Sequence, residues 1–309
     1  MQFSSSSVVR TVTSRQKRIK WGQIATIIGF LLPTTILYIV LVLLPVLQAV
    51  YYSFFRWNGL GPLQNFVGLA NYTRAFNDKV FIGALSHNLQ LVVLSIVLQL
   101  PLALGLALLV GRKLPGRAMF RTVFFLPFVL SEVVTGIIWN FIYLPDGGLV
   151  NTLIQSVFPN VPPTALLANP QTVLYALFVV ITWKYFGYHM ILYVAGLQNI
   201  PAELEEAAQI DGCNRLQALR YITIPLLSGT IRLTIYLSVL GALQLFDLVW
   251  VMTTGGPVNA SDTMATYLYK FGFQRFQLGA GSAIAVIIFL ICFTFSLTYQ
   301  RFAMRRDFI

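Results

Sequence analysis

The sequence predicts an all-α, polytopic membrane protein with six transmembrane helices and both termini on one side. Three observations carry that prediction. The 309 residues are 57% apolar and only 10% charged, with a mean hydropathy of +0.75. The apolar residues gather into six long runs, and lysines and arginines alternate between the two sides of those runs. A soluble domain holds about a quarter of its residues charged to keep its surface in water, so a soluble enzyme is excluded. A disordered chain is excluded too, because one this apolar does not stay solvated.

A helix crossing ~30 Å of hydrocarbon needs about 20 apolar residues, since lipid offers no partner to unpaired backbone groups. The first run extends from Ile24 to Phe55, with no charge between Lys20 and Arg56. The second lies between Lys79 and Arg112, centred on Leu89 to Val110. The third, Thr122 to Tyr143, is interrupted by Glu132, and the fourth, Thr172 to Gly196, contains Lys184. The fifth covers Leu226 to Thr253 and the sixth Gly279 to Tyr299. The basic residues Arg10, Arg15, Lys17, Arg18 and Lys20 precede the first run as they would a secretory signal. That run is too long for a signal core and no A-x-A pattern follows it, so it reads as an uncleaved span. Ser4 to Ser7 read as disordered. The chain thus divides into a cytoplasmic tail (1–20), one six-helix domain (21–300) and a second cytoplasmic tail (301–309).

Basic residues set the orientation, because loops rich in lysine and arginine stay in the cytoplasm. Fifteen fall on one side: the five of the tail, then Arg112, Lys113, Arg117, Arg121, Arg215, Arg220, Arg232, Arg301, Arg305 and Arg306. Five fall on the other: Arg56, Arg74, Lys79, Lys270 and Arg275. Both termini are therefore expected inside. The net charge of +11 is mostly this orientation signal and does not point to nucleic acid. Two outward loops, Arg56 to Ala84 and Asp146 to Gln171, exceed what a turn needs. Each reads either as a connector or as a partner surface.

Between the fourth and fifth runs lies a cytoplasmic segment, 201–225. Pro201 precedes Glu203, Glu205 and Glu206, acids in a first helical turn, where the helix dipole favours them. Gly212 supplies a tight turn. Leu216, Leu219 and Ile222 form a second amphipathic segment, leading to Pro225. Helix, glycine turn and helix make a knob suited to a partner's groove. Its acids otherwise read as a solvated face, and Asp211 as a cap on the second helix.

Glu206-Ala207-Ala208, Gly212, Ile222 and Ile224-Pro225 stand at the spacing EAA-x3-G-x9-I-x-LP, and here the chain resembles the permease subunits of ABC importers. Asp211 before the glycine is usual in that family, while Ile224, Cys213 and Leu219 replace its usual leucine, alanine and phenylalanine. The resemblance extends through Phe66 to Tyr72, Gly148 to Asn151, Trp183 with Gly187, Ala195 to Gln198 and Phe246 to Pro257. These are similar to the carbohydrate branch, and within it to the first permease subunit of maltose and glycerol-3-phosphate importers. The resemblance implies a type I importer permease fold in a bacterial inner membrane. It also implies a second permease, two cytoplasmic ATPase subunits and an extracytoplasmic substrate-binding protein. The coupling segment it implies comprises Glu206, Ala207, Ala208, Asp211, Gly212, Arg215, Ile222 and Pro225. ATP and magnesium would be held by the ATPases, for this chain has no G-x-x-x-x-G-K-[ST] phosphate loop; Gly111-Arg112-Lys113 lacks the preceding glycine. The chain itself is expected to be non-catalytic and to bind no cofactor.

Ionisable groups inside a bilayer are costly unless paired or wetted, so each marks a candidate site. Glu132 lies ten or eleven residues into the third run, about 15 Å deep at 1.5 Å per residue, and Lys184 at similar depth in the fourth. They form either an ion pair or two separately wetted groups. Glu132, Gly136, Trp139 and Tyr143 recur on one helical face, while Gln244 and Asp247 stand one turn apart with Gly241 and Trp250. Amides and carboxylates beside aromatic planes suit hydroxylated rings. Trp139, Asn140, Tyr143, Gln244, Asp247 and Trp250 are the expected substrate path, with an aromatic packing belt as the plainer reading. His87 and His189 have no metal-ligand spacing and read as packed or interfacial. Cys213 and Cys292 form no disulfide framework. A secondary transporter or a channel-type scaffold without an ATPase partner is the competing class, and it leaves the spacing of the 201–225 segment unexplained.

Overall fold

The structure, a computed structural model, describes residues 21–111 and 116–304. The tail cations, Ser4 to Ser7, Arg112, Lys113, Arg305 and Arg306 lie outside them. The chain separates into two units, Met1–Gln48 and Ala49–Ile309. The first holds helix Trp21–Tyr38, which runs on through a π-helical turn, Ile39–Leu43. Pro33 lies inside this helix, as prolines do in membrane helices, where freed carbonyls find other donors.

The second unit is almost wholly helical. We number its elements after the candidate span Thr26–Tyr52 (α1), which enters it at Ala49. A short helix Ala70–Asn77 (α2) leads into Lys79–Val110 (α3). The Asp78 carboxylate starts α3 by accepting from Val80 N at 2.8 Å, the capping that frees a helix from its first unpaired donor. Next come Arg117–Val129 (α4) and Glu132–Ile142 (α5), then Leu149–Val157 (α6) and Val173–Gln198 (α7). Ala202–Ile210 (α8), Arg215–Leu226 (α9) and Ser228–Leu243 (α10) follow. Asp247–Thr253 (α11), a short helix over 264–274 (α12) and Leu278–Phe302 (α13) complete the chain.

By length and composition four of these helices can cross a membrane, or up to six if each of two bent pairs is one span. The expectation of straight third and fifth spans is corrected here. The third run bends by 99° between α4 and α5, because Pro127 sits in the last turn of α4 and Leu130 is extended, ψ 144°. Ser131 then opens a new helix by accepting from Val134 N. The depth assigned to Glu132 from a straight rise therefore does not hold. The fifth run is broken at 244–246, between α10 and α11, while its first residue, Leu226, ends α9, which is bent by 65° from α10. The loop Asp146 to Gln171 contains α6 rather than turns alone.

Lipid tails are as apolar as leucine, so membrane helices associate through close packing rather than through expulsion of water. The α7 helix is the hub. Its buried Val173, Leu177 and Val180 pack with Leu91, Leu248 and Val249, while Met190 and Tyr193 pack with Ala103, Ala107 and Leu227. A third cluster joins Phe81, Val239, Met264 and Ile284. Gly187 lets the α4 backbone lie directly on α7, for a β-carbon there would strike Phe124 O.

Candidate functional site

The 201–225 segment is built almost wholly from local hydrogen bonds. Pro201 caps α8 and Glu203 and Glu205 fall in its first turn. Gly212 ends the helix at φ +86°, a left-handed conformation that costs a residue with a β-carbon about 1–2 kcal/mol. Its N–H donates to Gln209 O at 3.1 Å and Cys213 N donates to Ala208 O at 2.9 Å, the paired closure of a Schellman turn. Asp211 terminates α8 and does not cap the next helix. That role belongs to Asn214, whose side chain accepts from Gln217 N at 2.9 Å while Gln217 Oε1 accepts from Asn214 N at 2.8 Å. The Thr223 hydroxyl donates to Glu205 Oε1 at 3.0 Å and closes the knob.

Ala208, Ala218 and Thr223 are the knob's buried side chains. Glu206, Ala207, Asp211, Gly212, Arg215 and Pro225 are exposed and Ile222 is half-buried. Ile210 is 87% and Leu216 73% exposed, apolar groups held outward by a fixed backbone. No atom outside the turn lies within 4 Å of where a Gly212 β-carbon would be. The turn needs glycine for its conformation, and the space around it is open.

Inside the bundle, the Lys184 ammonium lies 3.8 Å from Glu132 Oε1. It also donates to Leu130 O, the carbonyl that the break after α4 sets free. The neighbouring Tyr185 hydroxyl donates to Glu132 Oε1. Two adjacent residues of α7 thus hold both edges of the break: a cation at the end of α4 and, through Glu132, the start of α5. Both placements agree with the helix dipoles. Glu132 Oε2 has no hydrogen-bond partner.

The residues expected along a substrate path do not surround one cavity. Tyr143 is buried and its hydroxyl donates to Ala176 O at 3.1 Å. Trp139 packs at a tilt against Tyr143 and edge-on against Trp183, ring centres 5.2 and 5.6 Å apart. Its indole nitrogen and Asn140 Oδ1 are buried without partners. Gln244 ends α10 and Asp247 begins α11, so they are separated by a break rather than by a helical turn. Gln244 Nε2 lies 3.7 Å from Cys292 Sγ. Trp250 stands between Phe246 and Tyr269, at 5.7 and 4.7 Å.

A cavity of about 270 Å³ lies elsewhere, among α3, α4, α7 and α10, lined by Ser95, Gln99, Tyr185, Tyr188, His189 and Ser238 among others. None of these six was expected as a path residue. Ser95 and Gln99, polar at i and i+4 inside an apolar run, were the available signal. His189 is buried and its Nδ1 has no partner.

On the far side from the knob, His87 Nδ1 meets Asp262 O at 2.9 Å. Asp262, with Lys270 2.9 Å from its Oδ1, is fully buried. Burial pushes its carboxyl above the usual range, against the opposing pull of Lys270 and Thr266. Asn88 ties α3 to α10 and α12 by donating to Ala242 O at 2.6 Å and accepting from Met264 N at 2.8 Å.

Residues 99–307 match the family described as binding-protein-dependent transport system inner membrane component. A probable ABC transporter permease protein of Bacillus subtilis, YurN, is 36% identical over 275 residues, 88% of this chain and 94% of that protein. The lactose transport system permease protein LacF of Rhizobium radiobacter is 34% identical, covering 90% and 93%. Among solved structures, a chain of a bacterial alginate ABC transporter, crystallised with an alginate pentasaccharide-bound periplasmic protein, superposes with a TM-score of 0.81. It covers 92% of this chain and 96% of its own at 22% identity, a likeness of fold.

Proposed function

The chain belongs to the family of binding-protein-dependent transport system inner membrane components, and from that premise we propose that it is one of two permeases of an importer for sugars or sugar-like solutes. Its multi-pass helices give it a place in the membrane but no means of hydrolysing ATP. In this reading both termini and the knob face the cytoplasm of a bacterial cell, and the knob docks in a cleft on one of two ATPase subunits. An extracytoplasmic binding protein delivers solute from the other side, and a second permease completes the path. Closure of the ATPases swings the bundle as a rigid body between its two openings.

The observation that carries the reading is the knob itself. Its backbone is fixed by a Schellman turn and a capping box, yet Glu203, Glu206, Asp211 and the apolar Ile210 and Leu216 are exposed. A surface so rigid and so apolar suits a partner's cleft, with Glu206, Ala207, Ala208, Asp211, Gly212, Arg215, Ile222 and Pro225 as the coupling residues. The ion pair of Glu132 and Lys184 steadies one state of the cycle by holding the break between α4 and α5. Trp139, Asn140, Gln244, Asp247 and Trp250 contribute to the solute path, and Tyr143 supports its wall. The sugar assignment rests on relatives such as the lactose permease and on the 246–257 segment.

Co-purification of an ATPase subunit in detergent tests this. The wild-type chain should retain the ATPase, and Glu206→Ala or Gly212→Asp should release it while membrane insertion is unchanged. Retention by both variants would overturn the coupling role.

A further inference from the structure

Opposite the knob, a wide polar pocket opens where α1 ends and α13 begins. Its walls include Arg56, Trp57, Asn58, Gln64, Arg74 and Gln277. The opposition follows from α13: its far end meets the knob side, where Arg232 Nη1 donates to Ala303 O. The pocket is fixed by the backbone. Asn71 Nδ2 donates to Ser53 O at 2.7 Å and to Phe55 O at 3.0 Å, Gly279 N donates to Trp57 O at 2.9 Å, and Phe55 bridges to Phe66.

Its charge is one-sided. Of the other cations on this face, Lys270 is paired with Asp262, and Arg275 lies over the Phe271 ring at 3.9 Å. Arg56 and Arg74 make neither a salt bridge nor a side-chain hydrogen bond among the described residues, and no carboxylate lines the pocket they share. Two guanidinium groups without a salt bridge, set among carboxamides, suit a phosphate oxyanion and its hydroxyl-bearing substituent. The rim is apolar: Leu60 and Phe276, both in the lining, are strongly exposed, with Phe66 and Leu69 nearby. Because the pocket sits at the ends of two apolar spans, its level is that of the headgroups, where aromatic side chains also gather.

We propose that Arg56 and Arg74 form a binding site for the headgroup of an acidic phospholipid in the leaflet opposite the knob. Phosphate engages the guanidinium groups, the carboxamides take the headgroup hydroxyls, and the exposed apolar rim meets the acyl chains. A polar protein surface has no use for that rim, and a free anion none for the position at the membrane boundary.

The test is retention of phosphatidylglycerol by the purified full-length chain, read by native mass spectrometry after exchange into detergent doped with equal phosphatidylglycerol and phosphatidylcholine. Wild type should hold phosphatidylglycerol preferentially, and R56Q/R74Q should lose that preference by about tenfold, the loss of a charge-assisted contact of ~1.4 kcal/mol. R56K/R74K should recover part of it, and K79Q, a cation on the same face outside the pocket, should keep all of it. Unchanged retention in R56Q/R74Q, or equal loss in K79Q, would overturn the site. Displacement of the lipid by millimolar inorganic phosphate would show a small-anion site instead. Unchanged lipid retention together with weakened capture of the binding protein would assign the pocket to that protein. Either result overturns the proposal.

Discussion

The knob and the broken third span solve the same problem, the end of one helix and the start of another, with different materials. At the knob, the turn between the two helices is closed from within 201–225: Cys213 N and Gly212 N donate back to α8, and Asn214 and Gln217 cap each other. At the 99° break after α4, Ser131 supplies one local cap. The freed carbonyl of Leu130 is met from α7, 54 residues away, by Lys184. The exposed turn closes on itself and stays open to its surroundings. The break inside the apolar run borrows a donor because lipid has none to offer.

If that contrast is right, the two regions fail differently. The largest effect is expected at Gly212→Asp. The left-handed turn makes the substitution cost about 1–2 kcal/mol, which the open space around it does not increase, while added bulk and charge meet the proposed partner, so solute uptake should fall to background with normal amounts of protein in the membrane. Next in size is Lys184→Met, which leaves Leu130 O without its donor and the Glu132 carboxylate without its counter-charge. Removing one partner of a buried pair costs about 3–5 kcal/mol, to be read as lost thermal stability in detergent. Adding Glu132→Gln to Lys184→Met should then restore part of that loss, a coupling of about 0.5–3 kcal/mol in a double-mutant cycle. Strict additivity would mean that the two side chains meet without interacting. The smallest effect belongs to Asn214→Ala, about 1 kcal/mol, confined to faster amide hydrogen exchange across 215–223. A global loss of stability there would show that the knob is not self-sufficient.

The same contrast explains how much could be read from residues alone. The knob was legible because its determinants lie within one short stretch: a proline, acids in the first turn, a glycine and a returning proline at fixed spacing. Even there the cap of the second helix was misassigned to Asp211, since Asn214 with Gln217 three residues later is the stronger capping pair. The apolar runs were legible by length. Their breaks were not, because Pro127 and Gln244 are compatible with a continuous membrane helix until a neighbour supplies a donor. The pairing of Glu132 with Lys184 could be proposed from depth, though the straight-helix depth was wrong. Nothing local announced that Lys184 would also hold Leu130 O. The cavity lined by Gln99 and His189 was missed because its walls come from four separate helices.

The contact at Gly187 limits the motions open to the machine. With the carbonyl of Phe124 resting on the α7 main chain, no interposed side chain is left to rotate aside. Sliding of one rod along the other is blocked at that point, so α4 and α7 must travel together as one strut. Whatever flexing the transport stroke demands is thereby displaced to the joint at Leu130, the residue that follows the end of that strut.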